Sequence, residues 1–88
     1  MTSEPRLGEF ESEVRLTLDN LKAIVEAAGG TLSDALNLKI YLTDINNVPA
    51  FNVIYADYFP GARPARTLVG VVLRGIQVEV DGIFALRS

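Results

Sequence analysis

The sequence predicts an α+β fold, two helices packed on one face of a β-sheet in the order α-β-α-β-β. Three observations carry this. Two stretches repeat their apolar residues at helical spacing, each closed by a glycine-bearing stop. Three further stretches are alternating or rich in β-branched residues. The 88 residues contain no internal repeat, low-complexity run or interdomain linker, so residues 1–88 read as a single domain.

Residues 1–8 hold a Pro, a Gly and no periodicity, and are expected to form a flexible tail. From about Glu9 the pattern is helical. Val14, Leu18, Leu21, Val25 and Ala28 form one apolar stripe, Glu9, Glu11 and Glu13 crowd the positive end of the helix dipole, and Gly29-Gly30 closes it. After a turn at Thr31 to Asp34, Leu36, Leu38, Ile40 and Leu42 alternate with Asn37, Lys39 and Tyr41, which predicts a strand with one apolar face. Thr43 to Asn47 reads as a turn, with Asn47 as N-cap and Pro49 just inside the second helix. Val48, Phe51, Tyr55 and Phe59 give that helix its core stripe, and Pro60-Gly61 ends it. Thr67 to Leu73 and Ile76 to Leu86 read as two strands joined by Arg74-Gly75 in a tight hairpin. Three strands are few for two helices to cover, so at least one sheet edge is expected to be bare and open to another chain.

Composition excludes much chemistry. With no cysteine and no histidine, disulfides, thiolate nucleophiles, a serine-histidine-aspartate triad and the usual zinc sites are out of reach. No metal site or cofactor is expected. The net charge is −3 and the eight basic residues are scattered, so no basic stripe for nucleic acid is visible. No run is long enough for a signal peptide, and none approaches the roughly 20 apolar residues of a membrane span. A cytoplasmic location is the expectation.

What remains is one guanidinium and one carboxylate on neighbouring apolar strands. Arg66 lies in Pro64-Ala65-Arg66-Thr67 and Glu79 in Val78-Glu79-Val80-Asp81. Charges held in an apolar sheet cost free energy unless paired, so the arrangement asks for a reason. A two-residue loop between Leu73 and Ile76 would set Val71 opposite Val78, Gly70 opposite Glu79, Leu68 opposite Asp81 and Arg66 opposite Ile83. Arg66, Gly70, Glu79 and Asp81 would then share one face, with Gly70 leaving room beside Glu79 and Arg66 roughly 13 Å further along. Both charges also have plain readings, Arg66 as a partner for a nearby carboxylate and Glu79 as a solvent-facing strand residue.

Five segments resemble one family. Asp19 to Gly29 looks like the first helix of the Rid proteins, the reactive-intermediate (imine) deaminases also called YjgF-type or L-PSP endoribonuclease-like. Leu38 to Asp44 resembles their central strand and turn. Phe51 to Phe59, with its Asn-x-x-Tyr, resembles their second helix. Pro64 to Thr67 and Val78 to Asp81 fall on their C-terminal signature. The resemblance implies a truncated Rid/chorismate-mutase-like fold: family members usually begin with a β-hairpin and an adjoining strand that contribute a tyrosine and a serine to the pocket, and neither has a counterpart here. The last hairpin also lacks a customary Leu-Pro.

The resemblance further implies an activity, the hydrolysis of 2-imino acids to 2-keto acids and ammonia. Arg66 would bind the substrate carboxylate, Glu79 would activate water, and Asn52 and Gly70 would support the substrate. It implies a homotrimer with pockets between subunits and no metal. Two other outcomes fit the same residues: a carboxylate-binding module in which Glu79 is dispensable, or an inert assembly module. The family's ribonuclease label sits poorly with acidic charge and no histidine.

Overall fold

The computed structural model describes residues 7–60, 65–72 and 75–85. Helix α1 runs Leu7–Ala27, two residues earlier than the expected start, so Leu7 and Gly8 belong to the helix and the expected tail at 1–6 lies outside the described residues. Phe10, Val14, Leu18 and Val25 are buried along it, whereas Ala28, expected in the same stripe, is exposed beyond the helix end. The stop is a left-handed cap. Gly29 has φ +93°, its N–H donates to the Glu26 carbonyl (3.0 Å), and the Gly30 N–H reaches the Val25 carbonyl (2.9 Å).

A 3₁₀ turn over Leu32–Asp34 is held by the Asp34 carboxylate, which accepts from the Thr31 N–H (2.9 Å). Strand β1, Ala35–Leu42, follows. Leu38, Ile40 and Leu42 have no exposure at all, but Leu36, expected on the same apolar face, is 58% exposed. A register shift between Ala35 and Asn37 breaks the alternation at that point.

Helix α2 spans Val48–Tyr58 with Pro49 in its first turn. Asn47 precedes it without a capping side-chain bond. The cap acts one turn earlier, where Asp44 accepts from the Asn46 N–H (2.9 Å). Phe51, Ile54, Tyr55 and Phe59 are buried, and the three rings stack in series with centroids 5.6 and 4.7 Å apart.

Strands β2 (Ala65–Gly70) and β3 (Val78–Phe84) complete the sheet, and here the expected hairpin is overturned. The strand order is β2-β1-β3: β1 pairs parallel with β2 and antiparallel with β3, and β2 and β3 never touch as neighbours. The reason lies in α2. A helix that crosses over the sheet after β1 returns the chain to the end where β1 began, so the next strand must run parallel to it. The chain then passes to the far side of β1. A short separator between two β-rich runs suggested a turn, but the central strand is the better partner for both. Gly75 has φ +75°, and residues 73–74 of the presumed turn lie outside the described residues.

Both helices cover one face of the sheet. Leu38, Ile40 and Leu42 lie in register with Arg66, Leu68 and Gly70 on one side and with Gly82, Val80 and Val78 on the other, all on the helix-covered face. Asn37, Lys39, Tyr41, Thr67, Val69, Glu79, Asp81 and Ile83 occupy the opposite face, over which the described residues place no second layer. Arg15 ties the helices together through Glu11 (2.9 Å) and Asp57 (3.0 Å). Tyr58 Oη adds a donation to Asp19 (2.8 Å). Asp57 first, then Glu11, hold the Arg15 guanidinium more firmly protonated than usual.

Candidate functional site

Arg66 stands on β2, an edge strand, on the helix-covered face. Its Nη2 donates to Asn52 Oδ1 at 2.6 Å, and its Cζ lies 4.9 Å from the Tyr55 ring centroid and 6.0 Å from that of Phe51. The spacing on α2 explains this. Asn52 and Tyr55 are three residues apart and Phe51 is four before Tyr55, so all three face the same strand. A buried ring below and a neutral amide oxygen beside it hold the guanidinium in place without cancelling its charge. Among the described residues Arg66 has no ion pair, and the residue itself is exposed. The result is a pre-oriented cation with planar N–H donors left over, the arrangement that recognises a carboxylate.

Glu79 is elsewhere. It pairs with Tyr41 on β3, the opposite edge strand, and its position falls on the open face. Arg66 is level with Leu38 and Glu79 with Tyr41, three residues along β1, roughly 10 Å at strand rise. The shared face expected from a hairpin is therefore corrected: within one chain Arg66 and Glu79 lie on opposite faces and opposite edges. The parity argument failed because it counted from the wrong partner strand.

Gly70 also moves. It pairs with Leu42, not Glu79, and a Cβ there would come within 2.9 Å of the Ile45 side chain. Close packing of the turn accounts for this glycine. Asn52 is the expected residue that the structure does bring to Arg66. Tyr55, read from its spacing as core, is both core and the shelf beneath the guanidinium. The Asn-x-x-Tyr spacing was the available signal.

Two hollows remain. A groove of about 360 Å³ between α1 and the outer edge of β3 is lined by Leu16, Leu21, Ile24, Ile76 and Val80 among others. A smaller one of about 150 Å³ lies on the open face beside Lys39, Tyr41 and Asp81, where the buried Asn37 Oδ1 has no hydrogen-bond partner. Among the described residues no acidic cluster is close enough to hold a metal ion, and no helix is long and apolar enough to cross a membrane.

The chain matches known proteins over nearly its whole length. The profile of a family described as endoribonuclease L-PSP matches residues 2–86. A RutC family protein of Pyrococcus horikoshii is 37% identical over 84 residues, covering 93% of this chain and 67% of that protein. A putative endoribonuclease of Thermotoga maritima superposes with a TM-score of 0.85 at 32% identity, covering 99% of this chain and 70% of that one. A Yersinia pestis protein of unknown function, assigned to the conserved Rid family, superposes with a TM-score of 0.83 at 38% identity, over 86% of this chain and 63% of that one. The chain thus spans about two thirds of the length of the proteins it matches.

Proposed function

Because the chain belongs to the Rid family, the group also described as endoribonuclease L-PSP, we propose that it hydrolyses 2-imino acids to 2-keto acids and ammonia at a site completed between subunits. Membership supports an imine-deaminase or endoribonuclease-like role. The observation that favours a small organic acid is Arg66, oriented by Asn52 and Tyr55 and unmatched by any carboxylate among the described residues.

Arg66 binds the substrate carboxylate through paired N–H donors. Glu79 lies on the other face and edge, so it serves a site only when it comes from a neighbouring subunit. It takes a proton from a water as the oxygen attacks the imine carbon, giving a carbinolamine. That proton passes to the nitrogen, the C–N bond breaks and ammonia leaves, with the oxygen retained as the keto group. Imines hydrolyse unaided in water, so orientation and one proton acceptor are enough to accelerate the step. A homotrimer, cytoplasmic and free of metal and cofactor, completes the proposal.

Ammonia release from 2-iminobutanoate, generated in situ, tests it. Arg66→Ala is expected to lower kcat/KM by about thirtyfold or more, the loss of a water-excluded charge partner costing about 2 kcal/mol at least. Glu79→Gln is expected to lower kcat with little change in KM. The placement of Glu79 away from Arg66 also favours a second reading, a carboxylate-binding module without catalysis. A wild-type protein that binds 2-ketobutyrate through Arg66 but hydrolyses imine no faster than Glu79→Gln establishes that second reading and sinks the first.

A further inference from the structure

The outer edge of β3 is built to accept another strand. The Thr43 N–H donates to the Gln77 carbonyl (3.1 Å), which sets the phase of the β1–β3 ladder. Bonded pairs alternate in an antiparallel ladder, so Gln77, Glu79 and Asp81 turn their backbone groups toward β1, whereas Val78, Val80 and Gly82 turn theirs outward. A second observation agrees: the Val78 N–H is taken by Glu13 Oε2 (3.2 Å), from α1 and not from β1. Beyond that point the outward groups of Val80 and Gly82 face an edge that no described strand covers.

What flanks this edge differs on its two sides. On the helix-covered side lies the 360 Å³ groove, where α1 presents a second apolar row separate from its core stripe. Leu16 is 61% exposed, Ile24 67% and Ile76 43%, with Val80 half-buried at the floor. On the open side stand Glu79 and Asp81, both exposed, and the only cation in register on that face among the described residues is Lys39, one strand further in.

From these we infer that β3 is a docking edge for an extended polypeptide segment whose side chains alternate between apolar and basic. Its backbone pairs with Val80 and Gly82. Its apolar residues fill the groove beneath Leu16 and Ile24, and its lysines or arginines lie beside Glu79 and Asp81. A second copy of this chain fits less well. Antiparallel pairing of two β3 strands would bring Glu79 and Asp81 against their own counterparts, and like charges opposed across strands destabilise the pair. This surface is distinct from the Arg66 site and does not depend on the deaminase reading.

The test uses the whole chain and synthetic peptides about as long as β3, alternating valine with lysine, alternating valine with glutamate, and scrambled. The valine–lysine peptide is expected to bind at least tenfold more tightly than either control, shifting backbone amides of 78–84 and side-chain signals of Leu16 and Ile24. Val80→Pro removes an outward N–H without touching the β1 ladder, and is expected to weaken binding at least tenfold while leaving the melting temperature within a few degrees. Asp81→Lys is expected to move the preference toward the glutamate peptide, and decides the matter if Val80→Pro fails to fold. Equal binding of all three peptides, or affinity unchanged in Val80→Pro and preference unchanged in Asp81→Lys, overturns the proposal. So does a chain that takes no peptide but loses self-association in Val80→Pro, which would make a second copy the occupant.

Discussion

At the scale of single residues, Arg66 owes its position to α2. The guanidinium is exposed, so its placement depends on what lies beneath and beside it: the Tyr55 ring at 4.9 Å and Asn52 Oδ1 at 2.6 Å. Removing either contact frees a long side chain that must then be ordered again when an anion binds. Asn52→Ala is expected to weaken 2-ketobutyrate binding about three- to tenfold, as expected for one hydrogen bond to a charged group. Tyr55→Leu should do the same through lost cation–π contact, at a larger cost in stability because the ring is buried. Calorimetry on both, with Tyr55→Phe as the variant that keeps a ring, separates the shelf from the hydroxyl. Affinity unchanged in Asn52→Ala and Tyr55→Leu alike would show that Arg66 needs no positioning.

Among the elements, β3 depends on a single carboxylate. Glu13, half-buried on α1, accepts from the Gln77 N–H, from Gln77 Nε2 (3.0 Å) and from the Val78 N–H (3.2 Å). These bonds fasten the start of an edge strand to the helix that covers it, and they shut off the first outward donor of that edge. Charge-assisted bonds to backbone N–H groups contribute more than neutral ones. Glu13→Ala is expected to destabilise the fold by about 1–3 kcal/mol, read from denaturant unfolding. Faster hydrogen exchange should appear in 77–80 first. Exchange spread evenly over the sheet would argue against a local anchor. Nothing in the spacing of Glu13 pointed to this: Glu9, Glu11 and Glu13 looked alike as dipole partners, and only the strand it meets singles it out.

For the molecule as a whole, the arrangement of charges demands company. Arg66 and Glu79 sit on opposite edges and opposite faces of a three-stranded sheet, so a site using both needs two subunits. A small domain with an uncovered sheet face also gains stability by association. Light scattering is expected to give three times the mass of the chain at working concentration. A monomer at every concentration would leave Arg66 as a carboxylate anchor and Glu79 without a role in the same reaction.

Both helices and all three strands could be placed from periodicity, because apolar spacing reports which residues face a core wherever that core happens to be. The glycine stop at Gly29 was equally legible, since it answers a local backbone demand. So were the two charges that carry the chemistry and the family to which they belong. Leu36 escaped this reasoning because a bulge interrupts the alternation, and Asn47 because Asp44 caps one turn earlier. Strand order was not legible at all. Which strand pairs with which depends on the path of α2 across the sheet and on β1 serving both neighbours, contacts between residues far apart in the chain. A strand's parity gains meaning only once its partner is known. The sequence by itself therefore determined which side chains could act. The tertiary structure alone decided that Asn52 and Tyr55 attend Arg66 while Glu79 faces away.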